Sequence, residues 1–259
     1  SVLSGTIPYY VWVTARWLPP FFPYRSRVVC SDVETVSDNR SVKNPAVRAV
    51  LSHFGVEKGV EIHYDADLPA MSGLGSSSAF IVGLLDAIGV LVGKPFGSKA
   101  ELAETAIAIE RDVLREGVGS QDQVAVAHGG LNKIDFYWDG SFRVFSIRNM
   151  TVDLVGEMDR HLLLFYVGRR GGDAGVAAKS VSAEQASRVS VNEGLLYEIG
   201  SKVNDGIDVL RRGKVIELGR ILHESWLLKR ALSGAITTDV IDSIYARALN
   251  AGALGGKLL

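Results

Sequence analysis

Residues 69–80 read PAMSGLGSSSAF: a proline, two glycines and a row of serines that run directly into apolar residues. A glycine turn opening a helix offers unpaired backbone N–H groups and the positive end of the helix dipole. Together these bind anions, phosphate above all. Ser76, Ser77 and Ser78 add hydroxyls that can hold phosphate oxygens or Mg²⁺. A tight turn with a serine N-cap has the same composition and stays open as the alternative. The stretch lacks the Gly-Lys-Ser/Thr ending of a Walker A loop, the third glycine of a dinucleotide fingerprint and the Gly-x-Ser-x-Gly of a nucleophile elbow.

Two carboxylates stand further along. With Ala103, Ile107 and Leu114 on one helical face, spacings of three and four put Glu110 on the apolar stripe between Ile107 and Leu114. An unpaired buried charge is costly, so the site should supply a cation or strong donors. The alternative is a glutamate that snorkels to the edge of the stripe or pairs with a nearby arginine. In GVGSQDQVAVAHGG (117–130), Asp122 lies between Gln121 and Gln123 just after two chain-freeing glycines. It can act as a general base toward a hydroxyl, or it can cap the next helix.

These residues need a scaffold. TIPYYVWVTARWL (6–18), SRVVCSDVETV (26–36) and VEIHYDAD (60–67) have strand character, and 45–54 reads as a short helix. Residues 76–93 form a buried helix, and 98–116 a second one with a Ser98/Glu101 capping box, ending at Gly117. Asp139-Gly140 between LNKIDFYW and SFRVFSIRNM predicts a hairpin. HLLLFYV (161–167) reads as a buried strand, and 183–250 carries helical periodicity throughout. The expected division is a mixed domain over 1–155 and a helix-rich one over 156–259.

The 259 residues are 47% hydrophobic and 22% charged with net charge −1, enough apolar material for a substantial core. No basic face is long enough to follow a phosphate backbone, so nucleic acid is not an expected partner. The longest apolar run, 79–93, is interrupted by Asp86 and falls short of the roughly 20 residues that span a bilayer, so no membrane partner is expected. Cys30 is alone, which excludes an internal disulfide and makes a reducing cytoplasm the simplest home.

Taken jointly, the three stretches resemble the GHMP kinases. Pro69 followed by Gly73, Leu74, Gly75, Ser76, Ser77, Ser78 and Ala79 looks like that family's second motif. The resemblance implies that Pro69 and Gly73 to Ser78 belong to a loop wrapping the phosphates of ATP. It implies that Ser77 and Glu110 hold Mg²⁺ and that Asp122 is the catalytic base. Gln121, Gln123, Arg169 and Arg170 become candidates for substrate contact, although GRRGGDAG (168–175) departs from the family's Gly-x-Thr-Arg pattern. RWLPPFF, NPAVRAVL, GSQDQVAVAHGGLN, LHESWLLKR and GALGGKLL extend the likeness over essentially the whole chain. They point to the branch that phosphorylates the anomeric hydroxyl of D-glycero-D-manno-heptose 7-phosphate, with fucokinase-like enzymes nearby.

The implied fold is α+β with two domains, a ribosomal protein S5 domain 2-like N-terminal domain and a ferredoxin-like, helix-rich C-terminal one, with ATP in the groove between them. The implied cofactors are ATP and Mg²⁺, and the implied partner is a small-molecule sugar phosphate, with a homodimer as an open oligomeric state. A Gly-rich first motif would precede Ser1 and a Gly-rich third motif would follow GGKLL, so the chain is expected to be truncated at both ends. Fucose or another hexose is the alternative acceptor, and a non-catalytic nucleotide or sugar binder is the alternative class.

The five histidines show no paired metal spacing. Trp12 is expected in the core, and Trp17, Phe21 and Phe22 in the core or a lid. Arg16 and Lys229 join Arg169 and Arg170 as candidates for a sugar phosphate.

Overall fold

The computed structural model describes residues 1–69, 72–147, 152–168 and 189–259. The chain forms two compact units, one of residues 6–129 and one of residues 1–5 with 130–259.

In the first of these, strands β2 (Val11–Trp17), β3 (Ser26–Val29), β4 (Val33–Val36) and β5 (Val60–Ala66) form a sheet of order β2-β5-β3-β4. The β3–β5 pair is parallel and the others are antiparallel. The strand expected over 6–18 begins only at Val11, after Pro8, which has no N–H to give a ladder. The stretch 26–36 folds as a hairpin rather than as one strand.

Helix α1 (Pro45–His53) starts with proline in its first turn, and Asn44 accepts from the Val47 N–H at 3.1 Å. Helix α2 (Ser76–Leu91) is apolar almost all round and buries Ile81, Leu84, Leu85 and Ile88 against Val28, Val50, Leu51 and Ile62. Each such side chain stabilises by about 2 kcal/mol, so this helix is anchored along its length. Val11, Val13 and Ala15 of β2 also face that core. The two-residue period of a strand therefore turns Trp12 outward with Thr14 and Arg16, and it is 57% exposed rather than buried.

Helix α3 (Lys99–Ala108) forms half of the expected capping box: Ser98 accepts from the Glu101 N–H at 3.1 Å, but Glu101 reaches one residue further back, to the Gly97 N–H at 2.8 Å. It does not run on regularly to residue 116. The chain widens into a π-turn, Ile109–Val113, where the Leu114 N–H donates to the Ile109 carbonyl at 2.9 Å. Arg115 follows with φ of 55°, a left-handed conformation that is uncommon outside glycine. Helix α4 (Gln121–His128) ends this unit.

In the other unit, β1 (Val2–Gly5), β6 (Leu131–Phe136) and β7 (Phe142–Ser146) form an antiparallel sheet of order β1-β6-β7. The Asp139-Gly140 hairpin forms as expected, with Gly140 at φ 83° and Asp139 accepting from the Ser141 N–H at 2.9 Å. Helices α5 (Val152–His161), α6 (Val189–Arg211), α7 (Val215–Leu232) and α8 (Asp239–Asn250) follow. Leu154, Val209, Leu210, Val215 and Leu218 form their core.

The boundary between units falls at Gly130 rather than near residue 155, because β6 takes its ladder partners from β1 and β7 and none from the four-stranded sheet. HLLLFYV is not a buried strand. No described strand pairs with it, and Leu163 and Phe165 are 79% and 66% exposed. Arg169, Arg170 and residues 183–188, the start of the stretch expected to be helical, lie outside the described residues.

Candidate functional site

The loop from Gly73 to Ser78 opens α2. Gly73 and Gly75 have φ of 82° and 70°, conformations in which any side chain would be strained. Gly75 is the N-cap residue and no side chain caps the helix, so the first-turn N–H groups of Ser76, Ser77 and Ser78 point out of the helix end. This geometry fits the anion-binding reading of the sequence rather than the serine-cap alternative. Pro69 and Ser77 are exposed, Leu74, Gly75 and Ser76 are half-buried, and Ser78 is buried.

Glu110 is completely buried, as its place on the apolar stripe requires. It does not pair with an arginine: Arg111 points away to Asp112 at 2.9 Å. Its donors are neutral. The Ser78 hydroxyl lies 3.1 Å and 3.0 Å from the two carboxylate oxygens, and the Gln123 side-chain amide donates to Oε2. Burial pushes the Glu110 carboxyl above its ordinary range. The bonds from Gln123 and Ser78 oppose that shift, and the negative charges of Glu116 and Asp122 add to it.

Asp122 sits in the first turn of α4 rather than at its N-cap, which is Ser120. It packs directly on the loop: a Cβ built on Gly75 would lie 3.1 Å from Cβ, Cγ and Oδ2 of Asp122. One helical turn thus sends adjacent side chains to two places, Asp122 to the phosphate loop and Gln123 to Glu110.

The structure therefore brings together Gly75, Ser78, Glu110, Asp122 and Gln123. Gln123, expected to meet substrate, is 1% exposed and holds Glu110 instead, while Gln121 is exposed. Ser78, not Ser77, is the serine on Glu110. Arg16 is engaged elsewhere, donating to Glu61 at 2.6 Å on the outer face of the four-stranded sheet, and Lys229 donates to the Leu258 carbonyl at 3.2 Å.

Could these residues hold a divalent cation? Among the described residues, no group of three or more His, Cys, Asp or Glu side chains is placed to do so. The donors present are a carboxylate, a serine hydroxyl and the Oε1 of Gln123, which is buried without a partner; the buried hydroxyl of Ser72 also lacks one. An all-oxygen set with one carboxylate suits Mg²⁺, which keeps several waters and takes the rest of its shell from phosphates.

Residues 40–130, which hold the glycine-serine loop, Glu110 and Asp122, match the GHMP kinases N terminal domain. Over that stretch the chain is of the GHMP kinase type. It is 28% identical over 198 residues to the D-glycero-alpha-D-manno-heptose 7-phosphate kinase of Campylobacter jejuni, covering 76% of this chain and 56% of that one. It is 25% identical over 233 residues to a mevalonate kinase of Thermococcus sibiricus, covering 88% and 65%. The crystal structure of a D-glycero-D-manno-heptose 1-phosphate kinase from Bacteroides thetaiotaomicron superposes with a TM-score of 0.77 at 23% identity. That match covers 99% of this chain and 76% of that one. The chain thus spans less than two thirds of the length of these two sequence relatives. Among the described residues no helix is long and apolar enough to cross a membrane.

Proposed function

We propose that this protein is an ATP- and Mg²⁺-dependent sugar kinase that phosphorylates the anomeric hydroxyl of D-glycero-D-manno-heptose 7-phosphate, giving the 1,7-bisphosphate. The observation that carries this reading is the packing of Asp122 on Gly75, which sets a carboxylate at the mouth of a helix N-terminus able to hold phosphate. The likeness to a heptose 7-phosphate kinase supports the choice of acceptor.

In this reading the backbone N–H groups of the loop and the hydroxyls of Ser76 and Ser77 hold the phosphates of ATP. Ser78 and Glu110 would hold Mg²⁺, whose chemistry is to neutralise charge building up on the transferred phosphoryl group. Asp122 accepts the proton of the sugar hydroxyl as that oxygen attacks the γ-phosphorus. Phosphoryl transfer depends mainly on positioning and charge stabilisation, so no covalent enzyme intermediate is needed.

The test is release of ADP with a panel of acceptors: heptose 7-phosphate, fucose, galactose and mevalonate. Turnover of the heptose phosphate well above the others supports the reading. Turnover of fucose without heptose 7-phosphate would move the assignment to a hexose 1-kinase, a reading favoured by the 26% identity to a fucokinase-containing protein of Bacteroides fragilis. Nucleotide binding with no transfer to any acceptor would favour a binder.

A further inference from the structure

Gln123 is the one member of the cluster to which phosphate binding, metal binding and proton transfer give no role. It is 1% exposed, so it cannot present itself to a substrate. Its amide nitrogen donates to Oε2 of Glu110, while its Oε1 is buried with no partner. Burying one end of an amide unsatisfied costs free energy, and a packed apolar side chain of the same volume would avoid that cost. The other restraint on Glu110 is Ser78, whose single hydroxyl proton is shared between both carboxylate oxygens and so does not select one orientation. Glu110 itself lies in the π-turn, a single widened turn of the kind often found at functional sites.

We propose that Gln123 is a positioning residue for Glu110. Its Nε2–H fixes Oε2 of Glu110 and so holds the carboxylate in one position, from which it would meet a cation. Because residue 123 follows residue 122 in the first turn of α4, the same turn that sets the base against Gly75 also aims the metal carboxylate. This inference rests on the kinase reading of the site.

The probe is Mn²⁺, titrated against the full chain with saturating ADP and followed by electron paramagnetic resonance. Gln123→Met keeps the volume and removes both amide groups. Loss of a group that orients a metal ligand lowers metal affinity roughly 10–100-fold, and a weakening in that range is expected here, with the melting temperature within a few degrees of wild type. Equal Mn²⁺ affinity in wild type and Gln123→Met would overturn the positioning role while leaving the kinase reading standing. If the methionine variant does not fold, Gln123→Asn replaces it. A folded asparagine variant, whose amide falls one methylene short of Glu110, supports the role by binding Mn²⁺ more weakly and contradicts it by binding equally well. Failure of both variants to fold would assign Gln123 to packing and overturn the proposal. Absence of Mn²⁺ binding in the wild type would instead overturn the kinase reading of the site.

Discussion

Asp122 lies against the α-carbon of Gly75, so closely that a methyl group there would meet Cβ, Cγ and Oδ2 of the aspartate at 3.1 Å. Glycine is required twice at this position, once by a φ of 70° and once by the carboxylate. The two requirements can be separated by experiment.

Gly75→Ala is expected to cost about 1–2 kcal/mol from the left-handed backbone alone, and to displace Asp122 as well. Gly93 provides the control, since its φ is 73° and nothing lies within 4 Å of a Cβ built there. Gly93→Ala should lower the melting temperature while leaving phosphoryl transfer intact, whereas Gly75→Ala should lower both. Equal transfer rates in the two variants would show that the contact with Asp122 does not matter for the reaction.

Glu110→Gln should reduce transfer roughly a hundredfold or more, because it removes the one carboxylate available to a cation among these donors. Its burial costs the folded state something whenever the group is ionised, so the neutral variant should melt no lower than wild type at neutral pH. A loss of stability of several degrees would mark Glu110 as a structural residue instead.

The placement of several residues of the candidate site is legible in the sequence. The order Pro, Gly-x-Gly, Ser in 69–78 located the loop, and the three- and four-residue spacing from Ala103 to Leu114 correctly buried Glu110. What sequence could not supply was the long-range register. The π-turn has no propensity signature, and the run of serines does not say which one turns inward: Ser78 is buried on Glu110 while Ser77 is exposed. Gln123 looked like a cleft residue because its neighbours are polar, but the geometry of α4 sends positions 122 and 123 in different directions. HLLLFYV shows the limit for the fold: apolar, β-prone composition describes what a strand needs, while a strand exists only where another backbone completes its ladder. Residue type alone suggests a buried Trp12, but Val11, Val13 and Ala15 take the inward positions of β2 and alternation turns Trp12 outward.

The outer face of the four-stranded sheet yields a pH prediction. Glu61 is 5% exposed, accepts from Arg16 at 2.6 Å and Arg27 at 3.3 Å, and lies 3.4 Å from Nε2 of His63. Burial alone would raise its carboxyl, but the bonds and positive charges of Arg16 and His63 hold it below the ordinary glutamate range. A carboxylate depressed on folding stabilises the native state above its unfolded value of about 4.3, and that contribution is lost as pH falls through the folded value. Glu61→Gln should therefore melt lower than wild type at pH 7, by about 1–3 kcal/mol, and the two curves should converge in acid. A difference that is constant with pH would mean that the ion pairs contribute nothing.

The most direct test of the account is Asp122→Asn, with ³¹P NMR following the γ-phosphate of ATP in the presence of Mg²⁺ and heptose 7-phosphate. The amide keeps the shape that packs on Gly75 but cannot take the sugar's proton. The account predicts that the anomeric phosphate signal seen with wild type forms at least about a hundredfold more slowly, while ATP binds as before. Transfer at the wild-type rate in this variant would contradict the assignment of Asp122 as the base and with it the reading of the site.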